Sequence, residues 1–403
     1  MSAPRHDVAV VGGGMVGAVL SVALEQAGFK VALIEAREPA PWSANDDYDL
    51  RVSAVSPASR NLLANLGLWD AVAAGRISPY RGMRVWERPG GPRLDFEHSA
   101  LGLPELGHII ENNLIVTAAW NRMAAVRRYC PALLEALTVE SDRVQLFLDS
   151  GETVEARLAI GAEGARSKVR DLAGMATRGW AYGQRCTVGT VTTERSHQAI
   201  AWQRFLPTGP VAFLPLADGR CSLAWHADDA LAHTLSALDD STFLDRLTEA
   251  SDAALGQVTA VAARAAFPLQ LQHAQEYVRP RLALIGDAAH VLHPMAGQGV
   301  NLGLMDIATL VDVLTRARDK SQDIGALRVL KRYQRPRRAE NALMLGAVDG
   351  IQKLFAGSTG LLAELRNQGM ASLNALSPLK QLMIQQATGF SGSPPPLLRP
   401  PGG

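Results

Sequence analysis

The chain has 403 residues, of which 47% are hydrophobic and only 5% are aromatic, so it can bury a large core and is long enough for two or three domains. Its 40 basic and 39 acidic side chains nearly cancel and leave a formal net charge of +1. A chain with this balance has no global field that attracts a polyanion. We therefore expect no nucleic-acid partner.

The three cysteines are widely spaced and odd in number, and no pair has the CxxC spacing of a zinc or redox site. We therefore expect reduced thiols, a cytoplasmic location and no metal ion. The sequence has no charge-free apolar run of eighteen residues, so any contact with the inner membrane is expected to be peripheral. The cysteines are Cys130, Cys186 and Cys221.

A βαβ pattern opens the chain. An apolar, β-branched strand over residues 7–11 leads into a glycine-rich turn, a helical run and a second strand that ends in an acid. In a dinucleotide site of this kind the glycines admit a pyrophosphate and the acid binds a ribose hydroxyl. The motif alone does not choose between FAD and NAD. Its predicted cofactor ligands are Gly12, Gly14, Gly17 and Glu35.

Strand patterns dominate the middle of the chain. Hairpins are predicted over residues 83–96 and 144–158, and short alternating runs between 187 and 227 predict an antiparallel sheet. The apolar side chains of that sheet suit an aromatic or lipid-like substrate. The alternative is that they are core residues beneath a helical stretch at 238–255. The predicted substrate-facing residues are Phe213, Leu214, Pro215 and Trp225.

Residues 281–304 read as a strand, a tight loop and the start of a helix. The apolar run 282–285 predicts a buried parallel strand, at whose carboxyl end Asp287 is placed to bind a polar group. The helix that begins near Asn301 would point free N–H groups at an anionic atom. The alternative is an ordinary strand-turn-helix of an α/β core. The glycines that permit close backbone approach to a flat ligand such as a flavin are Gly297, Gly299 and Gly303.

The whole run resembles a long and specific flavin fingerprint, GDAAHxxxPxxGQGxN, of the class A FAD-dependent aromatic hydroxylases. A protein that uses NAD alone has no need of a second fingerprint so far downstream, so the two motifs together predict FAD. The matching residues are Gly286, Asp287, Ala288, Ala289, His290, Pro294, Gly297, Gln298, Gly299 and Asn301.

Further segments extend the resemblance over most of the chain, to the FAD-dependent hydroxylases of ubiquinone biosynthesis. It implies an enzyme that uses NAD(P)H and O2 to hydroxylate a polyprenylated phenol or benzoquinol, most like the member acting on 2-polyprenyl-3-methyl-6-methoxy-1,4-benzoquinol. A sibling hydroxylase acting at another ring position remains open. The segments are GGGMVG, DLRVSAVSPAS, AEGARSKVR, AWQRFLPTGPVAFLPL, GDAAHVLHPMAGQGVNLG, LKRYQRPRRAENALM and SPLKQLMIQQATG.

The same resemblance implies several cofactor contacts. Arg51 matches an arginine near the ADP moiety, and the pair of Glu111 and Asn112 matches an EN pair at the edge of the flavin. Glu163 stands where the family motif has Asp, which leaves its role open. With the glycine-rich loop, the predicted cofactor ligands are Arg51, Asn112, Glu163, Gly286, Asp287, Gly297, Gly299, Val300 and Asn301.

Two histidines, His290 and His293, are the titratable groups of the flavin loop. A histidine titrates near neutrality and is suited to relay a phenolic proton. The alternative is structural hydrogen bonding within the loop. The candidate catalytic residues are His290, Pro294, Gly297 and Gln298.

The predicted fold is an α/β, Rossmann-like three-layer FAD-binding domain with an antiparallel-sheet substrate domain and a helical C-terminal region. The FAD-binding domain is expected in three parts (1–80, 108–178 and 273–318), interrupted by a hairpin (81–107) and the substrate domain (179–272). A helical region (319–390) and a disordered tail rich in Pro, Gly and Ser (391–403) follow.

A basic cluster in the helical region is suited to anionic lipid headgroups, although helices commonly carry such charges as a solvated face. A complex with other ubiquinone-biosynthesis proteins is a further expected partnership. Two other classes compete with the hydroxylase: a prenyl-lipid flavin reductase and a non-enzymatic prenyl-binding scaffold. The basic cluster comprises Arg328, Lys331, Arg332, Arg335, Arg337 and Arg338.

Overall fold

The computed structural model describes residues 5–292, 299–355 and 394–402. Within these ranges the strands form two eight-stranded sheets and one three-stranded sheet. In chain order the strands are β1 (Arg5–Val11), β2 (Val31–Ile34), β3 (Val52–Val55), β4 (Ser78–Tyr80), β5 (Gly82–Trp86), β6 (Arg93–Glu97), β7 (Gly107–Glu111), β8 (Arg127–Tyr129), β9 (Leu134–Val139), β10 (Val144–Leu148), β11 (Thr153–Gly161), β12 (Thr177–Thr193), β13 (Ile200–Leu206), β14 (Gly209–Pro215), β15 (Cys221–Asp228), β16 (Val258–Ala274), β17 (Val278–Arg279), β18 (Leu282–Leu284) and β19 (His290–Val291).

The helices connect and cover these sheets. Four short 3-10 turns accompany them among the described residues, at His98–Leu101, Gly164–Arg166, Gly286–Ala288 and Pro396–Leu398. The α-helices are α1 (Met15–Gln26), α2 (Pro57–Asn65), α3 (Trp69–Ala73), α4 (Asn112–Arg122), α5 (Lys168–Leu172), α6 (Asp229–Ala237), α7 (Asp240–Ala250), α8 (Gly299–Asp319) and α9 (Leu327–Phe355).

The parallel sheet has the strand order β17-β18-β11-β1-β2-β8, and β9 and β10 extend it from β11. β1 pairs in parallel with both β2 and β11, and β18 pairs in parallel with β11. The predicted βαβ unit is therefore β1-α1-β2, and the predicted strand before Asp287 is β18. The hairpin prediction accounts for only one of the two pairings of β11. Residues 153–156 pair with β10, and residues 155–161 pair in parallel with β1.

The antiparallel sheet has the strand order β19-β16-β12-β15-β14-β13-β5-β6. It contains the strands predicted between residues 187 and 227, and the predicted hairpin β5-β6 forms its edge through a parallel pairing of β5 with β13. One face is covered by α6 and α7. A small sheet has the strand order β3-β7-β4, and Ile109 of β7 belongs to an apolar cluster with Leu216.

Helices α1 and α8 pack against each other and share the core of the parallel sheet. Their contact is close at Gly303, where a Cβ atom would lie 2.7 Å from Cγ2 of Val16. α2 begins with Pro57 in its first turn, and Ser56 caps it by accepting a hydrogen bond from the backbone N–H of Ser59 (3.3 Å). The domain boundaries drawn from the sequence stay predictions.

The predicted disordered tail is wrong for residues 394–402. Leu398 is buried against α2 and α8, and its backbone oxygen accepts a hydrogen bond from the side-chain amide of Asn61 (3.1 Å). Asn65 donates to the backbone oxygens of Leu397 and Arg399, both at 2.9 Å. One apolar side chain and a pair of asparagines therefore hold a segment whose composition is typical of disorder.

Candidate functional site

A cavity of 1160 Å³ lies at the carboxyl ends of the central parallel strands, where α/β sheets bind their ligands. Val11, Ile34 and Ile285 mark the ends of β1, β2 and β18 along its wall. The cavity is large enough for an extended ligand of dinucleotide size. The predicted cofactor ligands that line it are Gly12, Gly14, Glu35, Asn112, Glu163, Asp287, Gly299 and Val300.

The three glycines of the first motif have different functions. Gly12 has a φ of +99° and a Cβ there would lie 2.6 Å from the backbone oxygen of Ala162, while a Cβ at Gly17 would lie 1.9 Å from the backbone oxygen of Gly12. These two glycines allow the turn and the helix to pack. A Cβ at Gly14 would meet no protein atom within 4 Å, so this glycine leaves room in the cavity itself.

Glu35 follows β2 at one end of the cavity. Its carboxylate accepts hydrogen bonds from the backbone N–H groups of Gly13 and Arg37, the latter at 3.0 Å. The carboxylate therefore shapes the glycine turn, and it remains on the cavity wall, where its oxygens can also accept from a ribose hydroxyl.

Asp287 enters the cavity from the turn after β18. Its side chain is exposed to the cavity, and the surrounding walls raise its pKa, an effect that His290 and Arg51 oppose. The guanidinium of Arg51 lies 4.8 Å from the ring centre of Phe267. Arg51 thus acts on the carboxylate as a neighbouring positive charge, although it is not among the described residues that line the cavity.

Glu111 and Asn112 differ in position: Asn112 lines the cavity and Glu111 is buried in the protein. Asn112 lines the cavity and accepts a hydrogen bond from the hydroxyl of Ser53 (2.6 Å). Glu111 is buried and accepts from two nitrogens of Arg76 at 2.9 and 3.1 Å and from the indole of Trp42 at 3.0 Å. Glu111 therefore holds the segment before β3 in place.

Glu163 lines the cavity, yet both of its oxygens are engaged by the protein. They accept from the hydroxyl of Ser167 (2.6 Å) and from the backbone N–H of Val169 (2.9 Å), and burial raises the pKa of the carboxyl. Arg170 of the same motif donates to the backbone oxygen of Ala288 (3.2 Å) and so ties this segment to the turn that carries Asp287. The longer side chain at 163 is used to cap α5.

The side chain of Asn301 lies away from the cavity wall. It is fully buried, its oxygen accepts from the backbone N–H of Ser56 (2.9 Å) and the hydroxyl of Ser59 (2.8 Å), and its nitrogen donates to the backbone oxygen of Ala54 (2.8 Å). This differs from the prediction of a cofactor ligand, because the amide is used to tie α8 to α2 and β3. Gly299 and Val300 bring the first turn of α8 to the cavity.

His290 is buried behind the cavity wall, with its Nε2 2.6 Å from Oδ2 of Asp306. This placement fits the alternative in which His290 forms structural hydrogen bonds. It does not support a direct contact between His290 and a substrate ring in the cavity. Its Nδ1 has no hydrogen-bond partner among the described residues. The other candidates in the loop, His293, Pro294, Gly297 and Gln298, lie outside the described residues.

The predicted substrate-facing residues lie on different faces of the antiparallel sheet. Phe213 (1% exposed) and Trp225 (3% exposed) point to the face that α6 and α7 cover, where the ring of Trp225 lies 6.1 Å from that of Phe243. Leu214 points to the opposite face and packs beside Leu216. Pro215 is buried at the end of β14 and, like the other three, is absent from the wall of the described cavity.

A different apolar cluster, which no sequence pattern indicated, adjoins the cavity. It lies between the antiparallel sheet and helices α8 and α9, and Leu292 belongs both to this cluster and to the cavity wall. Its buried members come from six separate strands or helices and from two loop positions, so periodicity within one element could not reveal them. The buried members are Val85, Leu94, Phe96, Leu106, Phe205, Leu271, Leu292, Leu302, Leu345 and Val348, with Met83, Met305 and Met344 packed against them.

The predicted basic cluster lies on α9 and divides by burial. Arg337 is 2% exposed and belongs to the interior, so it is no part of a surface. Within the described ranges no helix is long and apolar enough to span a bilayer, and no group of three or more His, Cys, Asp or Glu side chains is arranged to hold a metal ion. The exposed members of the basic cluster are Arg328, Lys331, Arg332, Arg335 and Arg338.

Comparison with solved structures supports the fold. p-Nitrophenol 4-monooxygenase PnpA from Pseudomonas putida DLL-E4 superimposes with a TM-score of 0.77 over 96% of this chain and 99% of its own, at 18% sequence identity. At that identity the likeness concerns the fold alone.

Sequence comparison is closer. The 3-demethoxyubiquinol 3-hydroxylase of Escherichia coli (strain K12) is 41% identical over 387 residues, which cover 95% of this chain and 98% of that protein. The ubiquinone hydroxylase UbiL of Rhodospirillum rubrum is 39% identical, covering 98% of this chain and 92% of its own. The FAD binding domain family model matches residues 5–345. The chain thus belongs to the FAD binding domain family, as a flavin-dependent aromatic monooxygenase whose cofactor is FAD.

Proposed function

We propose that this enzyme hydroxylates the ring of a polyprenylated benzoquinol in ubiquinone biosynthesis, with 2-polyprenyl-3-methyl-6-methoxy-1,4-benzoquinol as the substrate and NAD(P)H and O2 as co-substrates. The observation that carries the proposal is the position of Leu292. This residue belongs both to the apolar cluster and to the wall of the cavity that Asp287 also lines. Similarity over nearly the full length to a 3-demethoxyubiquinol 3-hydroxylase supports the choice of ring.

The residues of the cavity fit FAD. The open space at Gly14 suits the pyrophosphate, Glu35 suits the ribose of the adenosine half, and Asp287 suits a hydroxyl of the ribityl chain. The first turn of α8 at Gly299 and Val300 brings free backbone N–H groups to the wall, where they favour negative charge. Bound FAD supplies the activation of O2 with electrons from NAD(P)H.

The protein's contribution to hydroxylation is to hold the ring and keep water out. The cluster that contains Leu292 offers aliphatic side chains and three methionines, Met83, Met305 and Met344, beside the cavity. Methionine side chains are flexible and adapt to irregular apolar ligands such as a prenyl chain. We therefore assign the tail to this cluster and the ring to the adjoining end of the cavity, near Leu292.

The prenyl tail should contribute to positioning as well as to affinity. Burial of one methylene contributes about 0.8 kcal/mol, so one five-carbon prenyl unit could supply up to about 3–4 kcal/mol, part of which can hold the ring in register. A ring without a tail lacks that anchor. More of the reduced oxygen should then leave as hydrogen peroxide.

The test uses the purified FAD-loaded enzyme with NAD(P)H, isotope-labelled O2 and methoxy-methyl-benzoquinols of increasing tail length. We expect labelled oxygen in the ring product and a ratio of product to NAD(P)H consumed that rises with tail length. Unlabelled product would favour the prenyl-lipid reductase. Labelled product only with a differently substituted ring would favour a sibling hydroxylase. A ratio independent of tail length would contradict the role of the apolar cluster.

Peripheral membrane contact through α9 is the second part of the proposal. Five exposed cations lie on one helix, and each cation near an anionic surface contributes about 1 kcal/mol. Vesicles with and without anionic lipid provide the test, with the charge-reversing pair Lys331→Glu and Arg335→Glu as the variant. We expect sedimentation with anionic vesicles only, and its loss in the variant. Equal sedimentation of both proteins would contradict this contact. The exposed cations are Arg328, Lys331, Arg332, Arg335 and Arg338.

A further inference from the structure

A buried carboxylate, Asp306 of α8, joins three parts of the chain behind the cavity wall. Its Oδ2 accepts from the backbone N–H of Gly286 (3.0 Å) and lies 2.6 Å from Nε2 of His290. Its Oδ1 accepts from Nε of Arg337 in α9 (2.7 Å) and from the amide of Asn341 (3.4 Å). We call these five residues the Asp306 junction.

The junction is buried throughout. Asp306 and Asn341 are 0% exposed, His290 is 1% exposed and Arg337 is 2% exposed. Burial alone would raise the pKa of Asp306, but His290 and Arg337 overcome that effect and lower it to about 2, so the carboxylate is ionised at neutral pH. A buried ion pair of this kind stabilises little when it forms, yet the loss of one partner leaves an uncompensated charge in the interior.

Arg337 also fixes the position of α9 against α8. It donates to the backbone oxygen of Leu302 (3.2 Å) and to the side-chain oxygen of Asn341 (2.8 Å). Two further bonds join α9 to the strands before the turn, from the hydroxyl of Tyr333 to the backbone oxygen of Leu284 (2.8 Å) and from the backbone N–H of Tyr277 to Gln334 (2.7 Å). The C-terminal helix thus buttresses the turn that carries Asp287.

Within the turn, Gly286 and His290 flank Asp287. Both flanking residues are bonded to the same carboxylate, while Asp287 itself is exposed to the cavity. Gly286 has a φ of +56°, a conformation that needs support because only glycine adopts it readily. The turn therefore has two internal anchors and one side chain that is free to face a ligand.

We propose that Arg337 and Asp306 are positioning residues for FAD: they hold the turn so that the carboxylate of Asp287 faces the cofactor, although neither residue lines the cavity. This role does not depend on which ring the enzyme hydroxylates. The C-terminal helix α9 is then part of the cofactor site through one arginine.

A matched control lies at the other end of the same strand. Arg281 precedes β18, is 5% exposed and forms an ion pair with Asp323, with a hydrogen bond of 2.7 Å from its Nη1. It also donates to the backbone oxygens of Ser141 and Arg157. Arg281 is buried like Arg337, whereas the side chain of its partner Asp323 is 38% exposed. The pair lies before β18, at the opposite end of the strand from Asp287.

The variants are Arg337→Lys and Asp306→Asn, with Arg281→Lys as the control. The readouts are the Kd of the apoprotein for FAD, the visible absorption spectrum of the bound flavin and the thermal midpoint. We expect Arg337→Lys and Asp306→Asn to weaken FAD binding about tenfold, equivalent to about 1.4 kcal/mol, and to shift the flavin spectrum. Arg281→Lys should lower the midpoint while leaving the Kd within about twofold of wild type.

A double-mutant cycle separates positioning from stability, because Arg337 is proposed to act through Asp287. In the background of Asp287→Ala, Arg337→Lys should change the Kd for FAD by less than about twofold. Additive effects, or equal weakening by Arg281→Lys, would overturn the proposal. If neither junction variant folds, Asn341→Ala decides, with about threefold weaker binding expected and an unchanged Kd contradicting the role.

Discussion

The parallel sheet around β1 and the antiparallel sheet around β12 bury their side chains in different ways. β2 and β18 are buried at every position, so ligand-binding groups can lie only beyond the ends of these strands. β14 alternates along its second half, with Val211 and Phe213 buried and Leu214 half-buried. In such a sheet the packing partner of each face decides which side chains are free to meet a ligand.

That difference explains which of the predicted site residues line the cavity. At the ends of parallel strands, Glu35 and Asp287 could be placed from the sequence because a strand end defines an edge of the sheet. Within the antiparallel sheet, Phe213 and Trp225 satisfy the same apolar pattern as residues of a substrate wall, yet α6 and α7 cover them. The alternative that they are core residues is confirmed.

The largest effect expected at the parallel sheet is that of Gly14→Val. The new side chain would meet no protein atom at its Cβ but would occupy the cavity, so the protein should fold and FAD binding should be lost. Circular dichroism and the flavin absorbance of the purified variant are the measurements. Gly17→Val is the control and should fail to fold, because its Cβ would lie 1.9 Å from the backbone oxygen of Gly12. A folded, yellow Gly14→Val protein would contradict the assignment of the space at Gly14 to FAD.

The comparison is sharpened by a pair of core truncations, Phe213→Ala and Leu292→Ala. Phe213→Ala should cost about 3–5 kcal/mol of unfolding free energy in urea and leave the ratio of product to NAD(P)H unchanged below its melting range. Leu292→Ala should cost about 2–5 kcal/mol and lower that ratio, because Leu292 joins the apolar cluster to the cavity. An equal ratio of product to NAD(P)H in the two variants would contradict the assignment of Leu292, and not Phe213, to the substrate site.

Asp287→Ala should weaken FAD binding by about ten- to a hundredfold, since it removes a charge-assisted hydrogen bond of about 1.5–3 kcal/mol from the carboxylate facing the cavity. Equilibrium titration of the apoprotein with FAD measures the change. Asp287→Asn retains the shape of the side chain and should lie between wild type and Asp287→Ala. Full retention of flavin by Asp287→Ala through dialysis would contradict the assignment.

The smallest effect is expected for Glu163→Asp, although Glu163 also lines the cavity. Shortening the side chain should weaken its bonds to Ser167 and Val169 and cost about 1 kcal/mol of unfolding free energy, with the Kd for FAD within about threefold of wild type. Ser167→Ala, which removes one of these bonds, should cost a similar amount. A tenfold or larger change in the Kd for FAD would make Glu163 a direct ligand instead.

Much of the local structure was predictable. The unit β1-α1-β2, the strand β18 and the start of α8 follow from glycine spacing and apolar runs, which report backbone conformation within a short segment. The packing of residues 394–402 was not predictable, because their composition is that of a disordered tail and their order depends on Asn61 and Asn65 of α2. The burial of Arg337 was not predictable either, because its partner Asp306 lies on another helix.

The sequence by itself determined the cofactor class and placed Glu35 and Asp287 at two strand ends on the cavity wall. Dinucleotide motifs allow this because they need glycines and acids at set distances along one stretch of chain. Tertiary structure alone decided which apolar residues adjoin the cavity, which carboxylates are engaged in hydrogen bonds within the protein, and which charged residues are buried. Leu292, Glu111 and Asp306 illustrate each case. Their roles arise from contacts between segments distant in the sequence, and such contacts leave no periodic signal in any one segment.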